Sequence, residues 1–428
     1  SMKSFLDSHL KHLINAVHIL PFYPWSSDDG FAVKDLSAVD PNYGDWDDIS
    51  ALARDYSLMF DGVVNHLSAQ GEWFQEYLRG NPAFEDFFIN INKDDAKRLK
   101  HVIRPRTLPL LHPFKRNNEE VMVWTTFSED QADLNYANPK VLIAVLEVIL
   151  NYADLGARYL RLDAIAFLWK ALGTTCIHQP QTHALIKIFH TVLVAAQKPL
   201  QLVSETNVPH EENISYWGNG RDEAQFVYNF SLPPLLLHSL YAESTDALNN
   251  WARTLRFPFD TAHFLNFTAS HDGIGITPLQ GLVAPEEIEK VCGRVSELGG
   301  HISMKFGEND QVIPYELNIN WLDAMGSPES GSTVVTEHQI NRFFLTQAVM
   351  LAFKGLPAIY YHSLLGSRGW PEGVEHSGAS RSINREKLQL ETLEAALEDP
   401  THLRHKLFKR YAKMLMCRKQ EPAFSLQA

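Results

Sequence analysis

Short apolar runs alternate with longer amphipathic stretches along most of the chain. The apolar runs are rich in β-branched or aromatic residues, which is typical of strands, and cover residues 15–22, 57–64, 157–163, 199–205, 226–230, 263–270 and 356–362. Apolar residues recur at helical spacing over 139–155 and 183–196, and a further helix is predicted over 4–13. Strands that alternate with helices predict a parallel sheet with crossover helices, and so many units favour a closed (β/α)8 barrel of the TIM type.

Two long stretches interrupt this alternation. Residues 71–127 are rich in charge, proline and aromatic residues, and residues 273–336 contain many glycine, proline and polar residues. Long insertions on the catalytic face of a barrel are usually substrate-binding subdomains. We therefore predict a barrel from residues 1–70, 128–272 and 337–428, with subdomain B at 71–127 and subdomain B-prime at 273–336. Seven strands are recognised rather than eight, so we expect the first barrel strand to be missing from this chain.

Composition narrows the class of protein. A chain of 428 residues that is 45% hydrophobic can bury a large core. Its formal net charge of -13 argues against nucleic acid or an anionic membrane as partner. The three cysteines are widely spaced, which argues against a zinc site and favours a reducing compartment. No signal-peptide pattern or long apolar run is recognised, so we predict a cytoplasmic enzyme.

Four short segments come directly after predicted strands: DGVVNH (61–66), YLRLDA (159–164), SETN (204–207) and SHD (270–272). Residues just past the C-terminal ends of barrel strands converge on one mouth. A retaining glycosidase needs a nucleophilic carboxylate and an acid roughly 5 to 5.5 Å apart. We predict that Asp163 is the nucleophile, that Glu205 is the general acid/base, and that Asp272 binds sugar hydroxyls and favours the cationic transition state.

Neighbouring residues support these roles. Arg161 lies two residues before Asp163 on the same side of the strand, and a cation there would lower the pKa of the carboxyl group. His66 and His271 are candidate donors to sugar hydroxyls. Each residue also has a plainer interpretation, such as a structural ion pair between Arg161 and Asp163, or core histidines. The four segments in this order favour the catalytic interpretation.

At these residues the chain resembles the sucrose phosphorylase subfamily of the α-amylase superfamily of glycoside hydrolases and transglycosidases. The resemblance extends over residues 15–385 and rests on the motifs VHILPFYPWSSDDGF, VDPNYGDWDDI, VWTTFSEDQADLNYANP, LGTTCIHQPQTH, SHDGIG and SINREKL. It implies transfer of glucose from an α-glucoside to inorganic phosphate, which releases α-glucose 1-phosphate with retained configuration and without a metal or organic cofactor. The implied glucose pocket consists of Asp28, Phe31, His66, Phe127, Gln131, Arg161, His271 and Arg381.

The same resemblance implies where phosphate and the acceptor bind. Arg106 and Tyr315 match positions that contact phosphate or the acceptor, and His210 would border the acceptor. A guanidinium binds phosphate oxygens with two donors, although Arg106 could also be a solvated loop charge. The segment SETNVPHEENISYWGNG favours glucosylglycerate, narrowly, over sucrose, sucrose 6-phosphate and glucosylglycerol. The carboxylate of glycerate needs a further cation, for which the candidates are Arg104, Arg116 and Lys305.

Two alternatives to a phosphorylase stay open. A typical member of the subfamily has another strand before the position of Ser4 and a small β-domain after that of Ala428, and neither is recognised here. A barrel without its first strand exposes strand edges, so the chain could be a truncated, non-catalytic sugar-binding relative. An α-glucoside hydrolase is the other alternative, since water and phosphate compete for the same intermediate. A homodimer is also left open.

Overall fold

The computed structural model describes residues 1–92, 94–257, 259–306, 311–327 and 334–426. The helices among them are α1 (Met2–His9), α2 (Trp46–Ala53), α3 (Glu72–Leu78), α4 (Pro139–Asp154), α5 (Pro180–Ala195), α6 (His210–Ile214), α7 (Leu232–Tyr241), α8 (Asp246–Thr254), α9 (Pro285–Glu297), α10 (Trp321–Ala324), α11 (Glu337–Ala352), α12 (Tyr361–Leu364), α13 (Pro371–Ser377), α14 (Leu390–Glu398) and α15 (Leu403–Gln420). The strands are β1 (Ala16–His18), β2 (Ser57–Gly62), β3 (His66–Ser68), β4 (Leu111–Arg116), β5 (Glu119–Trp124), β6 (Gln131–Asp133), β7 (Ala157–Leu162), β8 (Gln201–Ser204), β9 (Phe226–Tyr228), β10 (His263–Asn266), β11 (Ile274–Gly275), β12 (His301–Phe306), β13 (Val312–Asn318) and β14 (Leu356–Pro357).

Internal contacts divide the chain into two compact units. The first consists of Ser1–Thr206, Ser215–Val227 and Lys305–Ile313, and the second of Asn207–Ile214, Tyr228–Met304 and Pro314–Ala428. The prediction of two inserted subdomains concerns different boundaries and stays a prediction.

The first unit is built on a parallel sheet with the strand order β1-β2-β7-β8-β9. Consecutive residues are buried on the central strands, over 58–62 of β2 and 160–162 of β7, so both faces of these strands are covered. Strands buried on both faces are typical of parallel sheets covered by helices. Helix α4 buries one face, because its buried residues recur at helical spacing.

Two antiparallel pairs lie between β2 and α4. Strands β4 and β5 form a hairpin, and its two turn residues Asn117 and Asn118 have φ of 50° and 68°. Two consecutive left-handed residues are what a tight hairpin turn requires, and asparagine tolerates that conformation. Strands β3 and β6 pair antiparallel, with His66 opposite Asp133 and Ser68 opposite Gln131. This pairing brings two predicted pocket residues, His66 and Gln131, onto neighbouring strands.

The second unit contains a parallel pair and an antiparallel sheet. Strand β10 pairs with β14 in parallel, and β11, β13 and β12 form a three-stranded sheet in that order. Gly275 of β11 lies opposite Glu316 of β13. Long helices complete the unit; α11 and α15 are joined by a buried hydrogen bond in which the Tyr411 hydroxyl donates to Gln347 Oε1 at 2.6 Å.

Every predicted strand contains an observed one, but the observed strands are shorter. The prediction for residues 356–362 is wrong beyond Pro357, because the chain enters helix α12 at Tyr361. The last contact of this strand with β10 is the hydrogen bond from Ala358 N to Asn266 O at 2.7 Å. The first helix also ends at His9 rather than at residue 13. Among the described residues, none of the helices combines the length and the apolar character needed to cross a membrane.

Candidate active site

Two candidate catalytic carboxylates follow neighbouring parallel strands. Asp163 comes directly after β7 and Glu205 directly after β8. The sheet pairing continues through both residues, since Asp163 N donates to Gly62 O at 3.2 Å and Glu205 N donates to Leu162 O at 3.3 Å. The next backbone amide, Ala164 N, donates to Glu205 Oε2 at 2.9 Å. The strand ends therefore place both carboxyl groups at one edge of the sheet.

The guanidinium of Arg161 contacts both of these carboxylates. Its Nη1 lies 2.7 Å from Asp163 Oδ1, and its Nη2 lies 3.8 Å from Glu205 Oε2. Nη1 also donates to Asp61 Oδ1 at 2.5 Å, because Asp61 and Arg161 are opposite each other in the β2–β7 register. The Arg161 side chain is only 2% exposed, so these are buried charges. Two carboxylates on one guanidinium are compatible with the roughly 5 to 5.5 Å separation of a retaining pair.

Burial and charge act in opposite directions on Asp163. Burial raises the pKa of Asp163 above its ordinary value, whereas the Arg161 guanidinium opposes this change. The side chain keeps 12% of its surface exposed, so a reacting atom can reach it. Burial has the larger effect, so Asp163 takes up a proton at higher pH than an ordinary aspartate. The contact with the Arg161 guanidinium partly offsets this change.

The first unit brings together most of the predicted glucose pocket. His66 Nε2 lies 3.0 Å from Phe31 O, and the ring of Phe127 lies 5.2 Å from the His66 ring. Gln131 Nε2 lies 3.4 Å from Asp28 Oδ2. Arg161 joins this group, with its guanidinium carbon 5.6 Å from the centre of the Phe31 ring. The arrangement offers a carboxylate, an amide, an imidazole and aromatic faces, which together suit a hydroxylated ring.

A buried cluster of Lys170, Asp133 and Asn65 contacts the Nδ1 side of the His66 ring. Lys170 Nζ lies 2.6 Å from Asp133 Oδ2 and donates to Asn65 Oδ1 at 2.8 Å. Asn65 Nδ2 in turn donates to Asp133 Oδ2 at 3.1 Å and lies 3.2 Å from His66 Nδ1. Thr126 donates to Asp133 through both its backbone N and its hydroxyl, at 2.7 and 2.6 Å. The Lys170 side chain is 4% exposed and that of Asp133 is fully buried.

In the second unit, Asp272 lies in a dense ion cluster. Arg381 Nη1 lies 2.7 Å from Asp272 Oδ1, and Arg385 Nη2 lies 3.7 Å from the same oxygen. His271 Nε2 is 3.4 Å from Asp272 Oδ2. Arg381 also donates through Nε and Nη2 to Glu316 Oε1 and Oε2, at 2.9 and 2.6 Å. Three of the predicted residues, Asp272, His271 and Arg381, are therefore held together here.

The residues predicted to contact phosphate or the acceptor differ in their burial. Arg106 and Tyr315 are half-buried. His210 is buried; it receives a hydrogen bond from Trp251 Nε1 at 3.3 Å and packs against the ring of Phe264. Burial lowers the pKa of His210, which favours its neutral form.

Two of the candidate cations for the glycerate carboxylate, Arg104 and Arg116, lie over aromatic rings. Arg116 lies over Tyr77, with its guanidinium carbon 4.6 Å from the ring centre, and its Nε donates to the Tyr77 carbonyl. Arg104 instead lies 4.2 Å from the centre of the Phe306 ring, next to Lys305 in the chain. Both guanidinium groups therefore lie over an aromatic ring, and Arg116 also donates to a backbone carbonyl. Arg104 and Lys305 are both half-buried.

Sequence reasoning missed several residues that build the site. Asp61 anchors Arg161 and also accepts from His18 Nε2 at 2.8 Å; its position inside DGVVNH at a strand end was the available signal. Glu316 and Lys170 carried no local signal, because neither follows a parallel strand. Gly273 was also missed: a Cβ added there would lie 2.6 Å from both Glu316 Cγ and Leu317 O, so the close approach of Glu316 requires glycine.

The fold and these carboxylates define a glycoside-processing barrel enzyme. Residues 7–272 match the family model described as the alpha amylase catalytic domain. The chain belongs to the alpha-amylase family, and the predicted (β/α)8 fold class is confirmed at this level. The expectation that the first strand is missing stays a prediction.

Comparisons that cover 99% of this chain show how similar it is to individual members of the family. The chain is 46% identical over 424 residues to glucosylglycerate phosphorylase of Spirochaeta thermophila, covering 99% of this chain and 71% of the relative. It is 43% identical to glucosylglycerate phosphorylase of Escherichia coli, covering 99% and 75%. Sucrose phosphorylase of Agrobacterium vitis is 28% identical, with 99% and 85% covered. The crystal structure of sucrose 6F-phosphate phosphorylase from Thermoanaerobacter thermosaccharolyticum superposes with a TM-score of 0.85 at 25% identity, covering 99% and 84%. The predicted resemblance to the sucrose phosphorylase group is confirmed.

Proposed function

We propose that this chain is a retaining glucosylglycerate phosphorylase, which converts glucosylglycerate and phosphate into α-glucose 1-phosphate and glycerate. The observation that carries the proposal is the contrast in identity at nearly constant coverage. Glucosylglycerate phosphorylases are 43% and 46% identical, whereas sucrose and glucosylglycerol phosphorylases are 28% and 27% identical. The pair of carboxylates held by Arg161 supports the double-displacement chemistry of this group.

In the first half-reaction, the Asp163 carboxylate attacks the anomeric carbon of glucose. The bond from that carbon to the glycerate oxygen breaks, and the Glu205 carboxylic acid gives its proton to the departing oxygen. The products are free glycerate and a glucosyl ester on Asp163, with Glu205 now ionised. The Ala164 amide that donates to Glu205 Oε2 supports that ionised form.

In the second half-reaction, an oxygen of hydrogenphosphate attacks the same carbon and the ester bond to Asp163 breaks. Glu205 takes the proton that the attacking phosphate loses, which restores the starting acid. Two inversions give overall retention, so the product is α-glucose 1-phosphate. Water in place of phosphate would give glucose, and this is the hydrolase alternative.

The remaining predicted residues bind and orient the sugar. Asp272 accepts hydrogen bonds from glucose hydroxyls and stabilises positive charge at the anomeric centre, with His66 and His271 as donors. Arg381 and Asp28 hold the hydroxyls remote from the scissile bond. Phe127 supplies an apolar face for the ring, which suits the apolar surface of a pyranose.

We further propose that Arg106 and Tyr315 contact phosphate and that Arg104, with Lys305, binds the glycerate carboxylate. A guanidinium stacked on an aromatic ring is pre-ordered, so less entropy is lost when it binds a carboxylate. The assignment of His210 to the border of the acceptor site stays a prediction.

The test measures α-glucose 1-phosphate and glucose released from glucosylglycerate, glucosylglycerol, sucrose and sucrose 6-phosphate, with and without phosphate. Phosphate-dependent release from glucosylglycerate supports the proposal. Glucose release at a rate independent of phosphate would show a hydrolase. Phosphate-dependent release of α-glucose 1-phosphate from another glucoside of the panel would change the assigned acceptor.

A matched substrate pair tests the carboxylate site. Glucosylglycerol lacks the carboxylate of glucosylglycerate, so Arg104→Ala should raise KM for glucosylglycerate by about tenfold and leave glucosylglycerol turnover unchanged. This factor corresponds to one charge-assisted hydrogen bond. Arg98→Ala is the control, since Arg98 is 56% exposed and pairs with Asp95. An equal loss with both substrates would refute the assignment of Arg104.

A further inference from the structure

Lys170 is a buried cation that the proposed reaction does not use. Its ammonium contacts Asp133 Oδ2 at 2.6 Å and Asn65 Oδ1 at 2.8 Å, and its side chain is 4% exposed. Burial lowers the pKa of Lys170, while Asp133 opposes that change. A buried charge is costly unless it is paired, so an ion pair at this depth needs an explanation beyond stability.

The donor and acceptor pattern around Asn65 has one consistent solution. An ammonium has only donors, so the atom of Asn65 that faces Lys170 must be the amide oxygen. The amide nitrogen then faces Asp133 Oδ2 at 3.1 Å, where an acceptor is available. Turning the amide by half a rotation would place its N–H groups against the ammonium and its oxygen against the carboxylate. Lys170 and Asp133 together therefore fix the orientation of the Asn65 side chain.

That orientation determines which nitrogen of His66 carries the proton. Asn65 Nδ2 lies 3.2 Å from His66 Nδ1, and an N–H directed at this nitrogen requires it to be an acceptor. A neutral imidazole with an acceptor at Nδ1 has its proton on Nε2. This matches the other side of the ring, where Nε2 lies 3.0 Å from the acceptor Phe31 O. Gln131 Nε2 lies 3.2 Å from His66 Nε2, but its two hydrogens have acceptors in Asp28 Oδ2 and Phe31 O, each at 3.4 Å, so it does not require His66 Nε2 to accept.

We propose that Lys170, acting with Asp133 through Asn65, is a positioning residue that holds His66 as the neutral tautomer protonated at Nε2. In this form His66 presents an N–H toward the pocket, where a hydroxyl of the bound glucoside can replace Phe31 O as the acceptor. This inference rests on the proposed function only for the identity of that acceptor; the tautomer itself is a property of the free protein.

The experiment reads the tautomer directly. Protein labelled with ¹⁵N at histidine is examined by two-bond ¹H–¹⁵N correlation NMR, and a His66→Gln variant identifies the His66 signals by their loss. The expected wild-type pattern is that of a neutral ring protonated at Nε2. A wild-type ring protonated at Nδ1 would overturn the proposal.

The informative variant is Lys170→Met combined with Asp133→Asn, because removing both charges leaves no unpaired ion in the core. Asn65 is then free to turn, so we expect His66 to show a mixture of tautomers. We also expect kcat/KM for the glucoside to fall by about tenfold, as for one misplaced hydrogen bond. Lys198→Met with Asp154→Asn is the matched control, since that pair is exposed at 26% and 62%.

The outcomes separate a structural role from a positioning role. A folded double variant with an unchanged His66 spectrum and unchanged kcat/KM would overturn the proposal. If the double variant does not fold, Asn65→Ala gives the same test, because it removes the amide that links Lys170 to His66. If wild-type protein shows the Nε2 tautomer but no phosphorolysis, the proposed function fails and the tautomer assignment stands.

Discussion

The two ion clusters of this protein distribute their charges differently. In the first unit one guanidinium, that of Arg161, is shared by Asp61, Asp163 and Glu205. In the second unit the guanidinium of Arg381 makes a two-point contact with Glu316 and uses its remaining nitrogen for Asp272. A shared cation leaves each carboxylate with partial compensation, whereas a two-point ion pair is both stronger and more directional.

This difference indicates which carboxylates can change their protonation or bonding state during the proposed reaction. A nucleophile and an acid/base group must form and lose covalent bonds or protons, which a saturated ion pair would oppose. Asp163 and Glu205 keep 12% and 13% of their side-chain surface exposed. Glu316 is only 2% exposed and is locked to Arg381, as suits a group that stays ionised and orients a neighbour.

Replacing Asp163, the proposed nucleophile, should have the largest effect on activity. We expect Asp163→Asn to lower kcat/KM by about 10⁴-fold or more, because the amide cannot form the glucosyl ester that we propose for Asp163. Phosphorolysis assays and circular dichroism would be measured together with an Asp154→Asn control, since Asp154 is 62% exposed. A folded Asp163→Asn variant that retained activity would show that Asp163 is not the nucleophile.

Removing the acid/base group should cost less and should depend on the leaving group. We expect Glu205→Gln to lower turnover of glucosylglycerate by about 10² to 10⁴-fold, the usual contribution of general acid catalysis. Formation of the glucosyl ester from α-glucosyl fluoride should fall much less, because fluoride departs without protonation. Burst kinetics with the two substrates would measure this difference. Equal losses with both would contradict the acid role of Glu205.

Weakening the second cluster should reduce orientation rather than chemistry. We expect Glu316→Gln to lower kcat/KM by about tenfold, since Gln keeps the shape but loses the charge-assisted contact to Arg381. Gly273→Ala should have a similar effect, because the added Cβ would lie 2.6 Å from Glu316 Cγ. Steady-state kinetics with both variants would check this. Full activity of both would mean that Arg381 needs no positioning by Glu316.

The smallest expected effect concerns pH. Asp163 must be ionised to attack, and burial raises its pKa, so protonation inactivates the enzyme as pH falls through that raised value. The acid limb of kcat/KM should therefore lie above the value of about 3.9 for an ordinary aspartate. A pH profile between 3 and 8 would measure it. A limb at or below the ordinary value would mean that Arg161 outweighs burial.

The sequence predicted the first cluster better than the second. Asp163, Arg161 and Glu205 all lie on or just after apolar strands, where the alternation of side chains and the order of strands determine what meets. Glu316 lies on an antiparallel strand within a polar stretch, and its contact with Arg381 depends on long-range pairing that no local pattern encodes. Lys170 was missed for the same reason, whereas the assignment of His210 to the acceptor stays a prediction.

The central claim is that this chain transfers glucose from glucosylglycerate to phosphate. The most direct measurement is the rate of α-glucose 1-phosphate formation from glucosylglycerate as phosphate concentration is varied, with free glucose measured in parallel. The account predicts a saturable rise in α-glucose 1-phosphate with phosphate and little free glucose. Release of glucose at a rate independent of phosphate, or no turnover by folded protein, would contradict it.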